Sequence, residues 1–309
     1  MSSFLKVFKD PGSITEKVKI DISEALSGGL HLLEKSSITQ LSDIHEKVTG
    51  NYIISSSSLC YTGQSEDVKK RLSWHLDKKS PVYNKFTKRL NKDLVSTDFD
   101  LRYIPVLIGK KELEEFAIAN LPAELNMSNK KAHVPYHWKF KQGCIDEWQE
   151  IQKNKKAILE SMKTEIDNID FIQWGKAVDI VKGFNKLRGI YIVCDSKENI
   201  LYVGESYRLW ARYNDHSKRT RSSIIRRNYA TEENMTFMTR KELGTTLKVG
   251  KNKGKESDDS KSWYLSDCDN EKVSKYIASC KIKLIAVPFG RYELERHLVE
   301  KLKPRYNKR

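Results

Sequence analysis

One spaced set of aromatic and polar residues occurs twice in this chain of 309 residues, so its fold must build the same local arrangement at two places. The second copy runs Gly189-Ile190-Tyr191, then Tyr202-Val203-Gly204, Arg212, His216, Glu295 and Asn307. The first runs Gly50-Asn51-Tyr52, then Tyr61-Thr62-Gly63, Arg71, His75, Glu114 and Asn126. Counted from the second glycine of each copy, the arginine falls eight residues on and the histidine twelve; in both, the asparagine lies twelve beyond the glutamate. Chance does not readily reproduce so many intervals at once.

The residue pattern around each copy indicates the elements. Tyr52-Ile53-Ile54, the serines of 55–58 and Leu59-Cys60-Tyr61 read as a hairpin. Residues 66–76 then read as a helix with Val68, Leu72 and His75 on one side, 101–107 as a third strand and 112–121 as a second major helix. The second copy repeats the scheme, with its third strand at 281–287 and last helix at 292–302. Before the first copy, Ser13-Ile14-Thr15-Glu16 matches the capping box of a helix start, and Val18, Ile22 and Leu26 follow at helical spacing. Between the copies, Trp148, Ile151, Ile158, Met162 and Ile166 predict long amphipathic helices. The predicted domains are therefore a helical extension (1–49), a first unit (50–126), a helical linker (127–188) and a second unit (189–309). The stretch 250–261 in the second unit is charged, contains glycine and has loop character.

The formal net charge of +15 and pI near 9.4 suit a polyanionic partner, because clustered Lys and Arg release condensed counterions from phosphates; a merely basic surface is the other reading. Lys218, Arg219, Arg221, Arg226 and Arg227 crowd behind the second histidine as candidates for DNA-backbone contact, with a solvated basic face as the alternative. The five cysteines are dispersed and form no CxxC pair, which argues against a disulfide framework or a cysteine zinc site. No uncharged run approaches membrane-spanning length, and the amino terminus lacks a signal-peptide core. A cytoplasmic protein is expected.

The repeated pattern resembles the GIY-YIG nuclease family, down to the stretch from Leu294 through Glu295 and Pro304 to Asn307. The resemblance covers 50–126 and 189–307. It implies an α+β fold: two units, each a small three-stranded antiparallel sheet flanked by helices, joined by a helical bridge. The first copy departs from the family in having Asn51 and Thr62 at aliphatic positions, a connector between tyrosines two residues shorter, and Pro122 one position earlier than Pro304 relative to the asparagine.

Cutting a phosphodiester requires an activated water, stabilisation of charge on the phosphorus oxygens and help for the leaving oxygen. The resemblance implies that Glu114 and Glu295 each hold Mg²⁺ or Mn²⁺, and Mg²⁺ needs only one or two protein carboxylates. Arg71 and Arg212 offer a permanently charged fork matched to phosphate oxygens, and each shares a helix face with its histidine, although a surface Arg/His pair would look the same. The resemblance further implies that Tyr52 and Tyr191 help deprotonate the attacking water, that Tyr61, Tyr202, His75 and His216 organise the proton network, and that Asn126 and Asn307 fix the scissile phosphate or that network. Glu112 and Glu293 read as solvated. The expected activity is Mg²⁺-dependent cleavage of double-stranded DNA by a restriction-type or mobile-element enzyme, a monomer acting as an internal pseudo-dimer. The alternatives are a nicking or branch-specific repair nuclease with only the second unit active, a DNA-binding protein without catalysis, and an RNA substrate.

Overall fold

The computed structural model describes residues 3–121, 123–126, 141–183, 187–218, 220, 222–239, 242 and 264–307. Pro122, Arg219, Arg221 and the stretch 250–261 lie outside the described residues. The chain is α+β with two antiparallel sheets and divides into two compact units: residues 1–7, 12–164 and 288–294 form unit 1, and residues 8–11, 165–287 and 295–309 form unit 2. No helix among the described residues is long and apolar enough to cross a membrane.

In unit 1, β1 (Gly50–Ser56), β2 (Leu59–Ser65) and β3 (Asp100–Pro105) pair in the order β2-β1-β3. Ser57 takes φ 53° to close the hairpin. As the central strand, β1 is covered on both faces, and its side chains alternate between two clusters. Tyr52 and Ile54 pack with Val68 and Leu72 of α2 (Val68–His75) and with Phe86 of α3 (Pro81–Leu90), while Ile53 meets Leu33 on the other side. Leu33 belongs to α1 (Glu16–Lys35), which starts two residues later than the predicted box implies: Thr15, not Ser13, is the N-cap, accepting from the Val18 N–H.

Rather than an appendage, α1 is a packed layer of unit 1. A Cβ on its Gly28 would lie 2.0 Å from the carbonyl oxygen of Cys144 in α5 (Gly143–Lys153), so the two helices meet backbone to backbone. A mid-helix glycine costs about 1 kcal/mol relative to alanine, which this close packing offsets. The predicted long helices are α5 and α6 (Lys155–Asp167), with Trp148, Ile151, Ile158, Met162 and Ile166 all buried.

Residues 288–294 contribute an ionic cluster to unit 1 around the start of α4 (Lys110–Asn120). Lys110, buried, pairs with Glu66 and lies 3.8 Å from Glu293, whose Oε2 accepts from the Gly109 N–H at 3.1 Å. Arg291, also buried, binds Glu112 at 3.0 Å and Glu115 at 2.9 Å. Glu112 and Glu293 are thus 3% and 5% exposed, contrary to the solvated positions expected of them: each carboxylate has a buried cation to pair with, which no one-dimensional pattern displays. Burial presses the Glu112 carboxyl upward against the opposing pull of Arg291.

Unit 2 holds β4 (Ile172–Gln173), β5 (Gly189–Cys194), β6 (Ile200–Ser206) and β7 (Lys281–Ala286) in the order β4-β7-β5-β6. Four strands replace the expected three, because the two-residue β4 adds to the free edge of β7 and is too short to show an alternating pattern. Every residue of the central β5 is buried. Its helices include α7 (Ala177–Gly183), α8 (Leu209–Lys218), α9 (Ile224–Glu232) and α10 (Asp267–Ser279); α11 (Arg291–Leu302) enters unit 2 at Glu295.

The first glycine of each motif lies where a neighbouring strand's backbone leaves no room. A Cβ on Gly50 would lie 2.0 Å from the Ile104 carbonyl oxygen, and one on Gly189 2.0 Å from that of Ile285. A carbonyl in a ladder cannot rotate away, so Gly189→Ala is expected to cost about 3 kcal/mol, read as a lowered urea midpoint. Gly143→Ala, with nothing within 4 Å, is the control and should be neutral or better. Equal effects of the two changes would refute the close approach.

Candidate active site

Register places the two tyrosines of each unit on adjacent strands and sets the first opposite the second glycine: Tyr52 pairs with Gly63, and Tyr191 with Gly204. The phenol lies directly over that glycine. A Cβ on Gly63 would lie 2.4 Å from the Tyr52 hydroxyl, and one on Gly204 2.4 Å from that of Tyr191. The second glycine of the motif is therefore the gap that admits the first tyrosine's ring.

In unit 2 the following helix closes over the phenol. The Tyr191 hydroxyl lies 2.9 Å from His216 Nε2 and accepts from Arg212 Nε at 3.1 Å. His216 Nδ1 lies 2.7 Å from Ser223 Oγ, and a second Arg212 nitrogen donates to the Ser222 carbonyl at 2.9 Å. Burial, reinforced by the charges of Arg212, Arg226 and Arg227, holds the His216 pKa well below its ordinary value. The imidazole is accordingly neutral near pH 7. With Arg212 donating to Tyr191, the phenol gives its own proton to Nε2, and the Nδ1 proton points at Ser223. Burial, then Tyr202, raises the Tyr191 pKa well above 10, so the resting phenol is protonated.

Unit 1 repeats the core of this cluster with less support. Tyr52 and His75 Nε2 are 2.8 Å apart, and the Tyr61 and His75 rings lie 5.0 Å apart, edge to face. Burial, then Arg71, pushes His75 down to about 3, and burial raises both Tyr52 and Tyr61. His75 Nδ1 is buried with no hydrogen-bond partner among the described residues, where His216 has Ser223. Arg71 lies over the Trp74 ring at 4.6 Å.

The two glutamates reach the same clusters from a distant part of the sequence. Glu114 acts electrostatically on Tyr52 and Tyr61, and Glu295 on Tyr202. Burial first, then the neighbouring Glu115 charge, raises Glu114 to about 7. Among the described residues no group of three or more His, Cys, Asp or Glu side chains gathers to hold a metal ion.

The asparagines hold the backbone of the strand that carries the second tyrosine. Asn307 donates to the Val203 carbonyl at 2.7 Å and accepts from its N–H at 2.8 Å; Asn126 makes the same pair with Thr62 at 2.8 and 2.9 Å. Both amide atoms are committed to the strand next to the second tyrosine. They serve the site by clamping the free edge of the strand that carries the second tyrosine, each amide using one N–H and one lone pair.

The basic run also divides. Arg226, proposed from the sequence to touch DNA, is fully buried. It donates to Thr220 Oγ1 at 3.1 Å, the Ser217 carbonyl at 3.0 Å, Asn270 Oδ1 at 2.7 Å and Ser274 Oγ at 3.0 Å. This arginine joins α8, α9 and α10 and has no face left for a phosphate. Lys218 is exposed and Arg227 half-buried; Arg219 and Arg221 lie outside the described residues. Ser223 escaped the sequence reading, although a serine directly before a helix is an ordinary N-cap signal; its Oγ accepts from the Arg226 N–H as well as meeting His216.

No family model matches the sequence, and neither curated proteins nor solved structures yield a match.

Two outcomes follow from this geometry. Arg226→Ala leaves several buried acceptors unpaired and should cost about 3 kcal/mol or more in denaturant unfolding, with no direct effect on DNA affinity where the chain remains folded. Glu114 has a folded pKa raised from 4.5 to about 7, so the native state holds an extra proton between those values and stability falls as pH rises through them. Glu114→Gln removes that loss: melting of unit 1 should rise by a few degrees at pH 8, about 2–4 °C per kcal/mol, and barely change at pH 4.5. An equal shift at both pH values would refute the buried carboxyl.

Proposed function

We propose that this chain is a metal-dependent endonuclease with two GIY-YIG-like units that hydrolyses phosphodiester bonds in double-stranded DNA. The observation that carries the reading is the Tyr–His contact, 2.9 Å in unit 2 and 2.8 Å in unit 1, built each time with an arginine on the histidine's helix and a glutamate within electrostatic reach. A tyrosine used only as strand filler needs none of these neighbours.

The residues suit the steps of hydrolysis. The Arg212 guanidinium, beside the Tyr191 phenol, can take phosphate oxygens through a planar fork. The attacking water gives a proton to the Tyr191 oxygen as the phenol's own proton passes to His216 Nε2. The arginine charges that depress His216 are offset when an anionic phosphate binds, so the imidazole becomes a better proton acceptor with substrate in place. The donor set fits Mg²⁺ or Mn²⁺ at Glu295 and Glu114: a single carboxylate suits an octahedral ion that keeps water and phosphate ligands. When bound, such an ion supplies charge stabilisation at the phosphoryl and leaving oxygens. Glu114, held to about 7 by burial, would release its proton to ligate.

Two sites in one chain suit a restriction-type or mobile-element enzyme that cuts both strands. A second reading, nicking or structure-specific cleavage by unit 2 alone, is favoured by one observation: Ser223 orients His216, whereas His75 Nδ1 is buried without a partner among the described residues.

Supercoiled plasmid incubated with Mg²⁺ tests both. Native protein should give linear DNA, and Glu114→Ala and Glu295→Ala should each slow one strand cut by about 100-fold or more, leaving nicked circles. Nicking by the native chain that only Glu295→Ala abolishes would support the second reading. Binding without cleavage on duplex, branched DNA and RNA would overturn catalysis altogether.

A further inference from the structure

In unit 2, α9 does more than cap the histidine. The two residues that lead into it reach both partners of the Tyr191 phenol, Ser222 through its carbonyl to Arg212 and Ser223 through its hydroxyl to His216. Arg227 lies one helical turn beyond Ser223, its N–H bonded to the Ser223 carbonyl at 3.1 Å, so its side chain leaves the helix on the same face as Ser223. The side chain is half-buried. Burial lowers its pKa, with Arg212 the next cause and Tyr202 opposing, which puts Arg227 in the electrostatic range of the cluster. Two guanidinium groups held near each other repel, and an anion received by both relieves that repulsion.

We propose that Arg227 is a second phosphate-binding arginine of unit 2, acting with Arg212 on the scissile phosphodiester; this rests on the nuclease reading above. A phosphodiester carries one negative charge and gains a second as water adds to phosphorus. Arg212 already donates to Tyr191 and Ser222, and Arg227 adds a second positive charge for the developing anion. Unit 1 lacks the equivalent. Its α3 starts after the N-cap Ser80, and the residue four positions on, bonded through its N–H to the Ser80 carbonyl at 3.0 Å, is the uncharged Asn84. The two units therefore differ in phosphate affinity as well as in histidine support.

The test uses the full chain and a short DNA duplex in EDTA, with affinity measured across a salt series for native protein, Arg227→Gln and Arg227→Lys. Arg227→Gln should weaken binding about 10-fold and reduce the slope of log K against log salt by about 0.9, the loss of one phosphate contact. Arg227→Lys should keep the slope, and with Mg²⁺ it should cut faster than Arg227→Gln, because charge and not shape carries the contact. A purely structural arginine would lower the melting temperature of Arg227→Gln without moving the slope, and that result overturns the proposal. Native cleavage abolished by Glu295→Ala but untouched, with the salt slope, by Arg227→Gln would overturn this inference alone. A native chain that neither cuts nor binds DNA would overturn it together with the nuclease reading.

Discussion

A phenol laid flat over a glycine is the contact on which each site depends. Tyr191 reaches His216 only because Gly204, directly opposite in the ladder, carries no side chain, and Tyr52 stands in the same relation to Gly63. A shift of one residue in register would turn the tyrosine to the other face of the sheet. The hairpin turn, the first glycine against the third strand and the asparagine clamp on the outer edge all restrain that register. The helix carrying the arginine and histidine then has one place to pack, and the hydroxyl–imidazole contact recurs at 2.9 and 2.8 Å.

Burial sets the chemistry of these clusters. It keeps the phenols protonated and the imidazoles neutral, which leaves arginine as the cation of the cluster, and it raises the Glu114 carboxyl to about 7. The two units share this logic but differ in execution. The second adds a serine to the histidine, whereas in the first the histidine's other nitrogen has no partner among the described residues.

The ionic cluster of unit 1 follows another rule. Gly109-Lys110-Lys111-Glu112 and Gly290-Arg291-Tyr292-Glu293 are corresponding segments of the two repeats, and Lys110 and Arg291 each pair with the glutamate of the other segment. Charges this deeply buried gain little net stability, since desolvation offsets their attraction; what they enforce is the pairing, because removing one partner strands the other.

The repeated spacing alone located both clusters, since two tyrosines, an arginine and a histidine within one hairpin and helix are governed by local geometry, with periods of two and 3.6 residues. It also indicated the central strands and the helices of the region between the copies. The two-residue β4 carried no pattern to read. Arg226 looked like its neighbours in the basic run, and Glu112 and Glu293 looked like surface charges. Only the tertiary structure separated the buried arginine with its ring of acceptors from the half-buried one beside it, and gave each buried glutamate its cation. Sequence records which groups the chain carries; whether a charge is solvated or paired depends on residues far along the chain that only packing brings within a few ångströms.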